Sequence, residues 1–330
     1  MRRGVTLATL AYVVVLSVHL GALALRVPLT GWLAAAQDLT LYLFLPLPAL
    51  LALGLALRAR AALALAVLPL AVFLYHYAPQ LFPPRAMAAG GGASLRLLTF
   101  NVSGNHGRAR AQPLVELIRA ERPDVVAVQE LPWRRLDDVM TAVGDEYPYV
   151  ARTPDVATIS RWPLADAHDL WLAGNDYVSQ RVSVQVGARW VTLSNVHVKR
   201  PVSGLSLRRN LLPWAEQFET GWRDVPAEAL VRSLAPLEEP QVVAGDFNQT
   251  DWSASYATIA AALQDSFREA GWGFGHTYPS AIGHDPWTVS VPLLRLDYVF
   301  HSAGLGATEA RVGPAAGSYH LPVIVDLQVR

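Results

Sequence analysis

The stretch QVVAGDFNQTDW occupies residues 241–252. Its apolar run at 242–244 is typical of a buried strand, and Gly245 follows directly as a turn residue. The chain then places a carboxylate, Asp246, and an amide, Asn248, in the same short turn. A strand that delivers an acid and an amide to one turn predicts a functional site at that end of the strand.

Six further segments have the length and composition of strands. They are LRLLTFNV (95–102), DVVAVQEL (124–131), RVSVQV (181–186), WVTLSNVHV (190–198), LDYVF (296–300) and LPVIVDLQV (321–329). Helical stretches lie between some of them, namely AQPLVELIRAE (111–121), LSLRRNLLPWAEQFETGW (205–222) and ASYATIAAALQDSFREAG (254–271). Strands that alternate partly with helices and partly with each other predict α/β layers with a mixed sheet arrangement.

Polar side chains stand in or beside these strands, mostly where a strand ends. They are Asn101, Glu130, His197, Asp246, Asn248, Asp297 and His320. Singly, each has an ordinary explanation, such as a turn, a helix start or a buried histidine. Together they fit a metal and phosphate site better, because Mg²⁺ prefers carboxylate and amide oxygens and keeps some of its waters. Glu130 with Asn101 or Asp246 would supply such oxygens, and the histidines remain for phosphate oxygens.

The order of these residues resembles that of a known superfamily. TFNV, VQEL, NVHV, GDFN, LDYVF and SYHLPV occur in the order and approximate spacing of the endonuclease/exonuclease/phosphatase superfamily, the DNase I-like metal-dependent phosphoesterases. The resemblance covers residues 95–330 and is specific for the superfamily, because six blocks are in register, but not for the substrate. It implies a four-layer α/β sandwich of two face-to-face sheets with helices outside, and a site in a cleft at one edge.

The resemblance also implies a metal site. Glu130 matches the principal metal-binding glutamate, and Asn101 matches the asparagine near the metal and the phosphate. Mg²⁺ is the implied ion, with Mn²⁺ as the alternative. No organic cofactor is expected.

The remaining matches imply catalytic roles. Asp246 matches the aspartate that activates or orients the attacking water, and Asn248 matches a residue that helps to hold the phosphate. His197 and His320 match the two histidines that contact the scissile phosphate, and Asp297 matches the partner of His320. A base, a metal and fixed donors are what hydrolysis of a phosphate ester requires.

One position departs from the family pattern. Many members have Asp directly before the last histidine, whereas this chain has Ser318-Tyr319-His320. A carboxylate close to the metal is therefore missing. We hypothesise that metal binding is weakened but not abolished.

The N-terminal part is apolar enough to require a membrane. Val5–Leu25, Leu39–Leu57 and Ala61–Phe82 contain no Asp, Glu, Lys or Arg, and each is near the ~20 residues that span a bilayer. We predict three transmembrane helices in a membrane anchor (1–82), a flexible linker (83–94) rich in Pro and Gly, and a catalytic domain (95–330). A buried helical core in a soluble domain fits less well, because the three runs have no polar face.

Arginines predict which way the anchor is inserted. Arg2 and Arg3 precede the first apolar run, and Arg58 and Arg60 separate the last two, so both positions are expected in the cytoplasm. The catalytic domain is then extracytoplasmic, in a multi-pass protein of the cell membrane. A signal peptide cleaved near residues 34–36 is the alternative, and it leaves the domain on the same side.

Composition limits the function classes. The chain has no cysteine, which excludes disulfides and a cysteine nucleophile. From Ala86 onward 26 acidic residues outnumber 21 basic ones, for a net charge of −5, and Lys199 is the one lysine. The broad basic stripe of a non-specific nucleic-acid binder is absent from this composition.

Location and charge therefore favour a small phosphodiester or a phospholipid headgroup as the substrate. The second candidate is a membrane-anchored extracellular endonuclease, in which arginines gather on one rim to bind DNA; the candidates are Arg108, Arg110, Arg200, Arg208 and Arg209. The third is a non-catalytic binding domain of the same fold. No protein partner is predicted.

Overall fold

The computed structural model describes residues 1–82, 92–104, 107, 110–200, 221–284 and 287–330. Three of the sequence predictions concern segments or residues that are wholly or mostly outside the described ranges. They are the linker (83–94), the helix at 205–222, and the arginines at 108, 208 and 209.

The N-terminal segment is helical. Its elements are α1 (Arg2–Ala24), α2 (Gly31–Asp38), a 3₁₀ turn (Thr40–Phe44), α3 (Pro46–Ala56) and α4 (Arg60–Leu81). Among the described residues, α1 and α4 are long and apolar enough to cross a membrane, and a third span requires α2 to be joined with Thr40–Ala56 across a bend of 82°. Two spans are therefore present by length, and three only if the bent pair counts as one.

Two six-stranded sheets form the rest of the chain. The first sheet has the order β13-β14-β1-β2-β4-β3, with β1 (Ser94–Asn101), β2 (Val125–Gln129), β3 (Tyr149–Arg152), β4 (Val156–Ser160), β13 (Leu305–Val312) and β14 (Val323–Val329). The second has the order β5-β6-β7-β8-β12-β9, with β5 (Leu164–Leu170), β6 (Ser179–Val186), β7 (Arg189–His197), β8 (Gln241–Asp246), β9 (Gln264–Asp265) and β12 (Asp297–His301). Both sheets are mixed, because β1 runs parallel to β2 and β7 parallel to β8.

Successive side chains of a strand point to opposite faces of its sheet, so each sheet packs against an apolar core on both faces. In β1, Leu97 packs into the core between the two sheets, whereas Leu98 packs outward against α5 (Ala111–Glu121) and α6 (Trp133–Val143). In β8, Val242 faces inward and Val243 faces outward, toward α7 (Asp224–Leu234) and α8 (Ala254–Ala262). Strands buried on both faces read as continuous apolar runs, which is why these strands are visible in the sequence.

The layers are therefore helix, sheet, sheet and helix, as in a DNase I-like fold. All seven strands expected from the sequence are present, and each end lies within two residues of the expected position. The helix expected at 254–271 is instead two helices, α8 and α9 (Ser266–Ala270), with β9 between them. The interruption has a local cause, since the Asp265 carboxylate accepts hydrogen bonds from the Phe267 and Arg268 amides and caps the second helix. A separate two-stranded hairpin, β10 (Ile282–His284) and β11 (Trp287–Val289), completes the described strands.

Candidate active site

Strand register aligns three of the predicted site residues across the second sheet. Asp246 at the end of β8 lies opposite His197 of the parallel strand β7 and opposite Asp297 of the antiparallel strand β12. Residues in register on neighbouring strands point to the same face of a sheet. In the first sheet, Asn101 ends β1 opposite Gln129, and Glu130 is the next residue.

Asp246 is the centre of a hydrogen-bonded group. Its Oδ2 accepts hydrogen bonds from the side-chain amides of Asn101 (2.8 Å) and Asn248 (2.9 Å). Its Oδ1 accepts from the Asn248 backbone N–H at 2.9 Å. Asp246 is fully buried, and its carboxylate is therefore held in one orientation by donors from both sheets.

Glu130 lies on the other side of Asn101. The Asn101 amide nitrogen is 3.3 Å from Glu130 Oε1, and His197 Nε2 is 3.5 Å from the same oxygen. His197 Nε2 is also 4.0 Å from Asp246 Oδ2. Two carboxylates, an amide and an imidazole therefore meet within a few ångströms.

His320 approaches Asp246 from the loop before β14. Its Nδ1 is 2.9 Å from Asp297 Oδ2, and its Nε2 is 3.8 Å from Asp246 Oδ2. All seven side chains predicted from the sequence are thus brought together, four from the second sheet and its loops and three from the first.

The two histidines have opposite electrostatic environments. Burial lowers the pKa of His197 to about 4, against the opposing effect of Glu130. Burial would also lower the pKa of His320, but the carboxylates of Asp297 and Asp246 outweigh it and raise the pKa to about 9. At neutral pH His197 is therefore neutral and His320 is positively charged.

Burial also raises the pKa of the Asp246 carboxyl above its ordinary value, although the charge of His320 acts in the opposite direction. A bound cation would favour the ionised form of Asp246.

The backbone around the site is held in unusual conformations. Glu130 (φ 57°), Asn248 (φ 50°) and Ser103 (φ 55°) are non-glycine residues in the left-handed region. Gly245 has φ 148°, and a Cβ there would lie 1.8 Å from the Val196 carbonyl oxygen. Such strain concentrates at functional sites, where the surrounding structure maintains it.

The donor set fits a hard divalent cation. Glu130 and Asp246 are buried carboxylates that share the Asn101 amide as a donor, and buried carboxylates require a compensating positive charge. Asp246, Asp297 and His320 each offer one possible ligand atom, and these three atoms lie within 4.8 Å of one another. In the described part of the chain, this is the group of acidic and histidine side chains that could hold a metal ion. Asp297 Oδ1 is buried and has no hydrogen-bond partner among the described residues.

His197 is arranged to meet a ligand. It is fully buried, its ring stacks on Tyr177 with centroids 4.1 Å apart and an interplanar angle of 3°, and its backbone carbonyl accepts a hydrogen bond from Asn175. Neither ring nitrogen has a hydrogen-bond partner within the described ranges. A phosphate oxygen or a metal-bound water next to Glu130 would supply one.

The sequence patterns did not reveal several supporting residues. Ser318 donates to the Asn101 carbonyl (2.6 Å) and accepts from the His320 N–H (3.1 Å), which connects the end of β1 to the loop before β14 behind the site. The Tyr278 ring lies 5.0 Å from that of His320, and the Arg200 guanidinium is 4.0 Å from Glu130. Arg200 is visible in the sequence as a basic residue soon after His197, and Ser318 as part of SYHLPV, but no local pattern gives Ser318, Tyr177 or Tyr278 a supporting role at the site.

Comparison with known proteins agrees with this geometry. The model of the Endonuclease/Exonuclease/phosphatase family matches residues 98–320, and the chain therefore belongs to this family. The enzymes of the family are divalent-metal-dependent phosphoesterases, which makes the chain a hydrolase of this broad class.

Solved structures of similar fold include two bacterial family members. The endonuclease/exonuclease/phosphatase from Bacteroides vulgatus has a TM-score of 0.56 and 19% identity, over 72% of this chain and 99% of that one. The family protein from Bacteroides thetaiotaomicron has a TM-score of 0.57 and 16% identity, over 73% and 100%. A humanized D. rerio TDP2 has a TM-score of 0.54 and 15% identity, over 72% and 99%. At these identities the likeness concerns the fold. No curated protein matches the sequence significantly.

Proposed function

We propose that the chain is a membrane-anchored, Mg²⁺-dependent phosphodiesterase that hydrolyses a phospholipid headgroup or another small phosphodiester at the extracytoplasmic surface. The observation that supports this choice of substrate is the position of the site close to the N-terminal helices. The loop after β8, which carries Asn248, also contacts the N-terminal helices, and two neighbouring segments, after α9 and before β12, contact them as well. A site beside the helix ends is within reach of headgroups in the bilayer that these helices would enter.

Three contacts support this placement. The Trp252 indole, four residues after Asn248, donates to the Tyr77 hydroxyl of α4 at 2.6 Å. The Gly273 N–H donates to the Gln80 carbonyl of α4 at 2.8 Å, and the Tyr42 hydroxyl donates to the Leu293 carbonyl at 2.6 Å.

Exposed apolar residues near these contacts also support a position of the site at the membrane surface. Trp272 is 75% exposed next to the contact at Gly273, and Val291 is exposed close to the contact at Leu293. Aromatic side chains favour the membrane interface. A patch of this kind beside membrane helices is suited to lie among lipid headgroups.

Each site residue has a role in the proposed hydrolysis. Glu130 would hold the cation, which when bound would polarise the phosphoryl oxygens and neutralise charge that develops on them. Asn101, predicted beside the metal, would in this arrangement orient the two carboxylates, because its amide nitrogen donates to Glu130 and Asp246 while its Oδ1 accepts from the Ser103 N–H. Asp246 orients the attacking water and accepts its proton. Asn248 supports Asp246 and helps to fix the phosphate.

The histidines complete the scheme. His320, charged through Asp297, donates a hydrogen bond to the phosphate. His197 is neutral and offers a ring N–H to a phosphate oxygen on the Glu130 side. Donors fixed in place before the reaction stabilise the transition state without reorganisation.

The second candidate is a membrane-anchored endonuclease, and one observation favours it. The Arg200 guanidinium lies 4.0 Å from Glu130, where it could bind a nucleic-acid phosphate. Arg110, the other candidate arginine within the described residues, is exposed in the loop after β1. The convergence of all seven polar side chains weighs against the third candidate, a domain without catalysis.

A substrate panel separates the candidates. The full-length protein in liposomes is assayed with Mg²⁺ on sphingomyelin, on phosphatidylcholine and on plasmid DNA, at 50 and 200 mM salt. We expect lipid turnover with a weak salt dependence. DNA cleavage without lipid turnover, falling by about 10³-fold or more between the two salt concentrations, would instead establish the nuclease, because each neutralised phosphate releases counterion.

A further inference from the structure

The N-terminal segment contributes a charged residue to the support of the catalytic loop. Asp38, the last residue of α2, is the single acidic residue among residues 1–85. Its carboxylate accepts hydrogen bonds from both terminal nitrogens of Arg223, at 3.3 and 3.2 Å, and from the Thr250 hydroxyl at 3.3 Å. The helices are thereby joined to the domain by a bidentate ion pair.

Arg223 connects this ion pair to the site. Its side chain is only 1% exposed, and its Nη1 also donates to the backbone carbonyl of Asn248 at 3.3 Å. Asn248 in turn donates to both carboxylate oxygens of Asp246. An unbroken series of hydrogen bonds therefore runs from Asp38 through Arg223 and Asn248 to Asp246.

A second contact holds the same loop from α4. The Trp252 ring stacks on His76 at 4.0 Å between centroids and 17° between planes. The Asp251 carboxylate accepts a hydrogen bond from Arg268 at 2.9 Å and lies 3.2 Å from His76 Nε2. The loop after β8 is thus held at two places. Residues 248–250 are held by Asp38 of α2 and its partner Arg223, and residues 251–252 by His76 of α4.

From these contacts we propose that Asp38 is a positioning residue for catalysis and that the N-terminal segment is part of the active-site architecture. The proposal rests on the function proposed above. Asn248 adopts a left-handed conformation (φ 50°), which asparagine accepts more readily than most residues, and its carbonyl has the buried Arg223 guanidinium as a donor that supports its direction. Asp38 supplies that support by orienting the guanidinium that binds the Asn248 carbonyl.

Loss of the Asp38 charge leaves the buried Arg223 guanidinium without its counterion. The guanidinium then has to move toward water or another acceptor, and the Asn248 carbonyl loses its donor. The Asp246 carboxylate shifts with Asn248. Small misplacements of catalytic groups reduce kcat more than they reduce binding.

The test compares three variants of the full-length protein in the same detergent or liposome preparation. Asp38→Asn removes the charge at constant size, and Asp38→Glu restores it. Tyr42→Phe is the matched control, because it removes another hydrogen bond of the same junction, to Leu293, that does not reach the loop after β8. Two quantities are measured: kcat and KM on bis(p-nitrophenyl) phosphate, and hydrogen–deuterium exchange of the peptide covering 241–252.

We expect Asp38→Asn to lower kcat on the order of 10- to 100-fold with KM within about threefold, and to speed exchange in this peptide. We expect Asp38→Glu to recover a large part of kcat, and Tyr42→Phe to change neither quantity more than twofold. Unchanged exchange in Asp38→Asn would overturn the proposal, as would a kcat equal to that of Tyr42→Phe. A wild-type protein without any turnover would contradict the proposed function, while the exchange measurement would still decide whether Asp38 orders the loop.

Discussion

At the scale of single residues, burial and neighbouring charges give the two histidines of the site opposite protonation states at neutral pH. His320 is charged because it lies between Asp297 and Asp246, and His197 is neutral because it is fully buried against Tyr177. The same residue type therefore provides a cationic donor on one side of Asp246 and a neutral one on the other.

The His320–Asp297 pair predicts a pH dependence of stability. The folded-state pKa of His320, about 9, lies above its ordinary value of 6.5, so the stabilisation is complete below pH 6.5 and is lost as the pH rises through 9. Asp297→Asn removes the main partner, and we expect a smaller loss of stability over this interval. The measurement is the Tm of both proteins in EDTA from pH 6 to pH 10. Equal losses in the two proteins would show that the pair does not set this pKa.

Tyr319 predicts a change in metal requirement. It occupies the position directly before His320 where many family members have Asp, and it is half-buried there. We expect Tyr319→Asp to lower the Mg²⁺ concentration that gives half-maximal activity, because a carboxylate is restored near the cation. Tyr319→Asn, which adds a polar group without charge, is the control. An unchanged Mg²⁺ requirement in Tyr319→Asp would refute the hypothesis of weakened metal binding.

At the scale of elements, β8 and the loop that follows it organise the site. Gly245 allows β8 to pass next to the Val196 carbonyl of β7, which keeps Asp246 in register with His197. A side chain at this position would force the two central strands apart.

Gly245→Ala should therefore destabilise the fold by about 3 kcal/mol or more, because the new Cβ would collide with backbone that cannot move independently. Gly221→Ala is the matched control, since no atom of the described residues lies within 4 Å of a Cβ there. The free energy of unfolding from urea titration measures both. A loss below about 1 kcal/mol in Gly245→Ala would mean that β7 and β8 can separate without cost.

Comparison of the observed elements with the predicted ones shows which strands and site residues could be predicted from the sequence. The seven predicted strands are apolar runs or are followed by turn residues, and the site residues stand at or near their ends. Seven of the fourteen described strands were not predicted. Among them, β5 (LADAHDL) is mostly exposed and interrupts its apolar residues with Asp and His, and β9 is too short, at two residues, to show a periodic pattern. The motif residues of the site were predictable, whereas the contacts of Ser318, Tyr177 and Arg223 join distant segments, which no local pattern encodes.

At the scale of the whole molecule, the distribution of arginines predicts which side of the membrane each part occupies. The chain has no cysteine, so single cysteines can report this directly. Ala188, in the turn between β6 and β7, and Ala61, at the start of α4, are both exposed. We expect a membrane-impermeant maleimide to label Ala188→Cys in intact cells and Ala61→Cys only after permeabilisation. Labelling of Ala61→Cys alone in intact cells would reverse the orientation.

At the same scale, the N-terminal helices contact a loop that carries part of the candidate site. The sheets bring together Glu130, Asn101 and Asp246. The N-terminal helices contact the loop after β8, through Asp38 on Thr250 and through Tyr77 on Trp252. A site built in this way is expected to act where the helices hold it, at a membrane surface.

The most direct test of the central claim is hydrolysis of bis(p-nitrophenyl) phosphate by the full-length protein with Mg²⁺ or with EDTA, beside Asp246→Asn. We predict Mg²⁺-dependent turnover that EDTA abolishes and that Asp246→Asn reduces by at least about 100-fold, while the variant keeps the Tm of the wild type within a few degrees. Turnover that persists in EDTA, or that a folded Asp246→Asn protein retains, would contradict the assignment of a metal-dependent phosphodiesterase centred on Asp246.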